Sequence, residues 1–317
     1  MAFRLGLVGL CTSHPENWVP IIRKLTDEKL VDVEVITAWD SGETRPVGFA
    51  KEFCTKMAIP KPVDRLDEMP DMVDGVIIHT ANWNRHIEQA KPFIDANKAV
   101  FLDKPMVGNL SDANQLLDWA KQKKRIVGGS SLRFADEIRE FRKTLSAEGG
   151  KILYALAGCG TDEFNYGIHA YSMLSGVMGP GIRSVQYLGF SGQNLLKVTW
   201  ADGKIGFLGT GKVENVDGLD FHLTVATVKK GVFQVIVDWR KIYLPLLEAA
   251  LPYFTGRVEN PPLTMAELLE PELAALAART SRLHGRHAEV LLTDLRQDDP
   301  GYDGSQFARE YRMARMG

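Results

Sequence analysis

The sequence predicts an α/β chain in two parts: an N-terminal doubly wound parallel sheet, and a C-terminal α+β domain with a large, mainly antiparallel sheet. Three observations carry this reading. Residues 1–127 alternate short apolar runs with segments of helical period, which is the pattern of parallel β-α-β units. In residues 128–317 several strands follow one another with only short turns between them, which is the pattern of an antiparallel sheet. The chain has 317 residues, 45% hydrophobic and 25% charged, enough for about two cores without staples.

The elements follow in order. Phe3 to Leu10 reads as a buried first strand, and Pro15 to Thr26 as the helix after it. The β-branched run Val31 to Asp40 predicts a second strand, followed by a helix over Arg45 to Met57. Asp74 to Thr80 (DGVIIHT) is a further buried strand, Asn84 to Ala96 an amphipathic helix, and Ala99 to Leu102 a strand. Ser111 to Lys124 predicts a helix with Ser111 as its N-cap and Asp112 in its first turn, and Arg125 to Gly128 closes the sheet. Beyond this point helices are expected over Ala135 to Leu145 and Gly167 to Met178. Strands are expected over Ile182 to Phe190, Leu195 to Trp200, Lys204 to Leu208, Phe221 to Val228 and Val232 to Trp239. The Ala-, Leu- and Glu-rich stretch Met265 to Leu283 predicts a long helix.

Bulk properties remove several function classes. Lys and Arg number 38 against 40 Asp and Glu, a formal net charge of -2, so nothing marks the chain for a nucleic acid or an anionic membrane. The run Leu5 to Cys11 is too short for a secretory leader, and no segment approaches the ~20 apolar residues of a membrane span. Cys11, Cys54 and Cys159 are far apart, without zinc or redox spacing, which fits a reduced, cytoplasmic setting. His284 and His287 form an HxxH pair with no third ligand near them, so no metal is expected.

In an open parallel sheet, ligands bind outside the carboxyl ends of the strands. The first strand ends in Gly9-Leu10-Cys11-Thr12-Ser13-His14, one third of a GxGxxG fingerprint: Gly9 supplies the tight turn, while Cys11 and His14 occupy the other glycine positions. Asp40, 31 positions beyond Gly9, ends the second strand. A carboxylate there accepts from ribose hydroxyls and repels a 2′-phosphate, which favours NAD over NADP; a capping or solvated aspartate is the plain alternative. The fifth strand ends in Asp103-Lys104-Pro105, and an ammonium at that edge is suited to hold a substrate hydroxyl or to stabilise alkoxide character.

Gly9, Asp40, the segment Ile78-His79-Thr80-Ala81-Asn82 through His86-Ile87-Glu88-Gln89-Ala90, and Asp103-Lys104-Pro105, taken in this order, resemble the glucose-fructose oxidoreductase / inositol dehydrogenase (Gfo/Idh/MocA) family, with aspartate for the glutamate of its Glu-Lys-Pro hallmark. Leu132-Arg133-Phe134, Gly167-Ile168-His169, Met265-Ala266-Glu267, Ala275 to Ala278 and Ser281-Arg282 extend the resemblance through the second domain. It implies a Rossmann domain that binds NAD through Gly9, Cys11, Thr12, Ser13, His14, Asp40, Thr80, Asn82, Asp103 and Lys104. It implies Lys104 and His169 as catalytic residues, with Trp83, Arg133, Asn165 and Tyr166 beside a carbohydrate-like substrate. Asn165 stands where the family has an aspartate, and Ser172 where many members carry an acid. Trp83 and Arg133 also suit plain core or surface positions.

The implied reaction is NAD-dependent oxidation of an alcohol, with His169 taking the hydroxyl proton. Two alternatives stand beside it: a redox-neutral epimerase or lyase that recycles its NAD, and a catalytically silent nucleotide- or sugar-binding member. The resemblance also implies a homodimer or homotetramer formed through the C-terminal sheet.

Overall fold

The computed structural model describes residues 1–317 apart from 148–149, 214–218, 230, 239, 286–287 and 317, with the backbone alone at 231–236 and 316. Six parallel strands form the first sheet: β1 (Phe3–Val8), β2 (Val33–Trp39), β3 (Lys61–Pro62), β4 (Gly75–Ile78), β5 (Ala99–Leu102) and β6 (Ile126–Gly128). Their order, β3-β2-β1-β4-β5-β6, reverses direction between β1 and β4 and leaves a crevice at the carboxyl ends of those two strands. Every residue of β4 and β5 is buried. That is why both read as unbroken apolar runs: a parallel strand covered on two faces has no solvent side to show.

Helices α1 (His14–Asp27), α2 (Phe49–Lys56), α3 (His86–Asp95) and α4 (Leu110–Lys121) connect the strands. The cap of α4 corrects the sequence reading. Asn109, in extended conformation, accepts from the Asp112 backbone N at 2.8 Å and is the N-cap. The helix therefore starts at Leu110, and Ser111 lies inside its first turn.

The second half contains α5 (Asp136–Ala147), β7 (Ile152–Gly158), α6 (Gly167–Met178), β8 (Ile182–Phe190), β9 (Asn194–Trp200), β10 (Ile205–Thr210), β11 (His222–Thr227), β12 (Gly231–Ile236), α7 (Tyr243–Phe254), α8 (Met265–His284), β13 (Glu289–Leu291) and α9 (Gly304–Met316). The seven strands lie in the order β12-β11-β7-β10-β9-β8-β13. All neighbours are antiparallel except β7 and β10, which run parallel. Sequence periodicity did not mark β7, β13, α7 or α9. β7 turns Tyr154 and Leu156 to solvent, so it lacks apolar-polar alternation. The side chains of Val232 to Ile236 lie outside the described residues.

Every residue of α6 is buried, and the run Ala274 to Ala278 of α8 lets that helix approach it closely. Each fully buried Ile or Leu here contributes about 1.5–3 kcal/mol. α8 begins with a capping box in which Thr264 and Glu267 bond each other's backbone N–H groups, worth about 1 kcal/mol. α7 returns to the first sheet: Leu246, Leu247, Ala250, Leu251 and Phe254 share one core with β1, β4 and β5, and the Phe254 ring lies 5.2 Å from that of Phe3. Among the described residues, no helix is long and apolar enough to cross a membrane.

Candidate functional site

The crevice between β1 and β4 opens on a tightly held turn. Gly9 has φ +75°, and a Cβ on it would stand 2.3 Å from Thr80 Oγ1 and 2.8 Å from the Thr80 backbone. Only glycine fits this left-handed, close-packed position. Asp40 ties the end of β2 to the turn: Oδ2 accepts from Leu10 N at 2.7 Å, and Oδ1 from Gly42 N at 2.8 Å. Arg45 adds bonds from Nε to Leu10 O at 3.1 Å and from Nη2 to Thr12 O at 3.5 Å. Cys11 is buried, and that burial, helped by Asp40, pushes its thiol up to about 11, so it stands as a small neutral group in the turn.

Helix α9 closes over the same region from the far end of the chain. Arg315 Nη1 donates to Cys11 O at 2.6 Å, and Arg312 donates to the Gly42 and Glu43 carbonyls at 3.4 and 3.3 Å. Asn82 Nδ2 bridges Glu43 Oε1 at 2.6 Å and Ser305 Oγ at 3.2 Å.

Beside the turn lies a cavity of about 310 Å³ where groups from both halves of the chain converge: Thr12, Ser13, His14, Thr80, Asp103 and Lys104 from the first, and Asn165, Tyr166, His169, Tyr243, Phe307 and Tyr311 from the second. A larger hollow of about 720 Å³, lined by Met1, Phe3, Arg4, Asp32, Asp74 and Arg257, lies at the amino ends of the strands. It is an open surface hollow at the wrong end of a parallel sheet for a ligand site.

Within the cavity Lys104 Nζ donates to Asn165 O at 2.9 Å and to Asn165 Oδ1 at 3.2 Å, and it lies 4.8 Å from the centre of the Tyr166 ring. Burial lowers the Lys104 pKa, against the pull of Asp103 and Asp162. His169 pairs its Nδ1 with Ser130 Oγ at 2.7 Å and packs edge-on against Phe221. Burial, with the nearby Lys104 charge, holds its pKa well below the usual value, so a neutral imidazole with Nε2 unclaimed by that bond is available.

Asp103 carries a second constellation. His14 Nδ1 lies 2.5 Å and His79 Nδ1 2.9 Å from the same oxygen, Oδ2. Burial works to raise the Asp103 pKa, but the two imidazoles outweigh it and hold the carboxyl well below its ordinary range. The three residues are close enough to suggest a metal centre. The donor set argues otherwise: His79 Nε2 is buried without a partner, and a metal on Nδ1 would force the proton onto that nitrogen. With Nδ1–H donated to Asp103, Nε2 remains a bare acceptor, which is cheaper to bury than an unpaired N–H.

Of the residues singled out from sequence, Thr12, Ser13, His14, Thr80, Asp103, Lys104, Asn165, Tyr166 and His169 line the cavity. Gly9, Cys11, Asp40 and Asn82 form the adjoining turn and its supports. Trp83 and Arg133 lie elsewhere. Trp83 is 3% exposed, packs against Phe164 and Phe307, and donates from Nε1 to Tyr302 O at 2.8 Å. Arg133 is buried and donates to the Glu267 carbonyl under α8. His287 of the HxxH pair lies outside the described residues. Sequence reasoning did not assign His79, Phe307 or Tyr311. His79 sits one residue beyond β4, where the strand-end rule points, and Phe307 and Tyr311 are spaced i, i+4 on one helix face.

Comparison with known proteins gives a consistent picture. Residues 3–130 match the family model for an oxidoreductase family with an NAD-binding Rossmann fold, Gfo/Idh/MocA. The putative oxidoreductase YceM of Salmonella typhimurium is 29% identical over 143 residues, 45% of this chain and 43% of that protein. A putative UDP-kanosamine synthase oxidoreductase subunit of Amycolatopsis mediterranei is 26% identical over 158 residues, 50% and 41% of the two chains. The matched stretch thus spans less than half the length of these curated relatives. A probable dehydrogenase from Thermotoga maritima superimposes with TM-score 0.74 at 15% identity, covering 92% of this chain and all of the other. Myo-inositol dehydrogenase from Lactobacillus casei, crystallised with NAD(H) and myo-inositol, gives 0.72 at 16% identity, covering 92% and 97%. At these identities the structural likeness is one of fold.

Proposed function

Since residues 3–130 match the model of the Gfo/Idh/MocA oxidoreductase family, with its NAD-binding Rossmann fold, we propose that the chain transfers a hydride between NAD and a hydroxyl or ketone of a sugar, cyclitol or sugar derivative. The observation that carries this reading is the convergence of Lys104, from the edge of the first sheet, and His169, from α6, on one cavity beside the Gly9 turn.

The residues present fit the cofactor. The Gly9 cradle leaves no room for a Cβ, and the turn, Thr80, Asn82 and Asp103 surround the place where a dinucleotide would lie; Asp40 at the end of β2 favours NAD over NADP. NAD, when bound, supplies the hydride acceptor. Lys104 holds the substrate oxygen and stabilises its negative charge, in a buried site where an ammonium acts strongly. His169, neutral and braced by Ser130, takes the hydroxyl proton at Nε2. Asn165 fixes the Lys104 ammonium, and Tyr166 lies beneath it.

A second reading keeps the hydride internal: a redox-neutral epimerase or lyase with recycled NAD. The His14–Asp103–His79 constellation favours it, because an imidazole held by a carboxylate gives the cavity another group able to move a proton. Three buried free thiols suit a cytoplasmic setting. The outer face of the second sheet, with Tyr154 45% and Leu156 38% exposed, is the surface we assign to homodimer or homotetramer formation.

The test is NAD(H) binding by tryptophan quenching and thermal shift, followed by turnover on a panel of cyclitols and sugars. Absence of binding by either cofactor form at millimolar concentration removes the reading. Product without net NADH selects the redox-neutral form, and Lys104→Ala is expected to abolish turnover in both.

A further inference from the structure

The turn after β1 has less than the usual equipment for a diphosphate. Cys11 and His14 stand where glycines let backbone approach a ligand, Pro15 deletes a backbone donor from the first turn of α1, and Glu16 places an acid there. Two guanidinium groups reach this same turn from opposite ends of the sequence. Arg45, from the loop after β2, holds the Leu10 and Thr12 carbonyls at 3.1 and 3.5 Å. Arg315, from the last turn of α9, holds the Cys11 carbonyl between them at 2.6 Å.

Both are braced in the same manner. The Arg45 guanidinium lies 4.5 Å from the centre of the Phe49 ring, and that of Arg315 lies 4.5 Å from the Tyr311 ring while donating to the Tyr311 hydroxyl at 2.9 Å. Among the described residues, neither forms an ion pair with a carboxylate. A guanidinium has five N–H donors in a rigid fork, and these bonds leave donors free on each. Two cations without a direct ion pair therefore hold the carbonyls of the turn, whose Thr12 and Ser13 line the cavity.

We infer that Arg45 and Arg315 form a diphosphate-binding pair that replaces donors the turn lacks, so that α9 is part of the nucleotide site. This rests on the dinucleotide reading above. The ligand class is a nucleoside diphosphate moiety, recognised by charge and bidentate geometry and not by its base.

The experiment is titration calorimetry of the full chain with adenosine, ADP and NADH, for wild type and for Arg315→Ala, Arg45→Ala and Arg312→Ala. Arg312 serves as control, because it docks α9 without reaching the turn. Loss of one charged contact is expected to weaken ADP and NADH about tenfold or more in Arg315→Ala and Arg45→Ala, with adenosine nearly unchanged and Arg312→Ala like wild type. ADP affinity should also depend less on salt in the two weakened variants. Arg315 is exposed at a helix end, so its variant tests the pair even if Arg45→Ala misfolds. Unchanged ADP affinity in Arg315→Ala overturns the proposal; so do tighter binding, which would make α9 a competitor for the turn, and an equal loss in Arg312→Ala, which would reduce Arg315 to a docking contact. A wild type that binds NADH no better than its variants do removes only the arginine pair, whereas a wild type that binds none of the three ligands removes the dinucleotide reading as well.

Discussion

Lys104 meets Asn165 twice, donating to its backbone carbonyl at 2.9 Å and to its side-chain Oδ1 at 3.2 Å. Both acceptors are neutral, so the contact offsets the burial that lowers the lysine pKa less than a carboxylate would.

Asn165→Asp tests that balance. A carboxylate in hydrogen-bond reach favours the ammonium, so the Lys104 pKa should rise. The inflection assigned to Lys104 in the pH dependence of turnover, or in its labelling by an amine reagent, should move to higher pH. An unmoved inflection would mean that Asn165 does not set the charge of Lys104.

Glu272 supplies a stability prediction of known sign. It is buried in α8, its Oε1 accepts from Met106 N at 3.3 Å, and its Oε2 has no partner. Burial pushes its carboxyl from 4.5 up to about 7. Between those values the folded state holds more protons than the unfolded state, so stability falls as pH rises through the window and the cost is in full force above it. Glu272→Gln should therefore gain roughly 2–3 kcal/mol at pH 8, with the gain fading toward pH 4.5. Urea denaturation at both pH values reads this directly.

Gly9 and Gly48 separate steric clash from backbone strain. Both have positive φ, +75° and +89°, but a Cβ at Gly9 collides with Thr80 whereas one at Gly48 meets nothing within 4 Å. Gly48→Ala should cost about 1–2 kcal/mol, the price of a left-handed residue alone. Gly9→Ala should cost several kcal/mol more, because the backbone of Thr80 must move, and should also weaken NADH binding. Equal melting temperatures for the two variants would contradict the close approach of β1 to β4.

The proposed assembly surface has its own test. Tyr154 and Leu156 face outward from the middle of the second sheet, beside Phe207 on β10. Leu156→Arg should convert the oligomer to monomer in light scattering without lowering the melting temperature of the isolated chain. A wild type that is already monomeric would remove the assigned interface.

The fold was legible where burial is two-sided. β4 and β5 announce themselves because every side chain is apolar and covered. β7 was not marked, because its outward residues are apolar too, and α7 was not, because Pro245 and Pro252 interrupt a helix that is mostly buried against the first sheet. In the site, Lys104 and His169 stand out because each follows or begins an element. The pairing of His14 with Asp103 joins positions 89 residues apart and exists only in three dimensions. Trp83 takes the plainer of its two readings: the resemblance implied a place beside the substrate, but its indole is seated in the core against Gly108, where a Cβ would lie 2.3 Å from Nε1, and under the Tyr302 carbonyl.

The contact between Arg315 and Cys11 spans 304 positions. During synthesis, strands β1 to β6 leave the ribosome long before the helix that roofs their crevice, and α7, which completes the core under them, also follows late. Contacts of such separation close a long loop and form after local ones. A nascent chain therefore carries an unroofed crevice through most of its translation, until residues 304–316 have emerged.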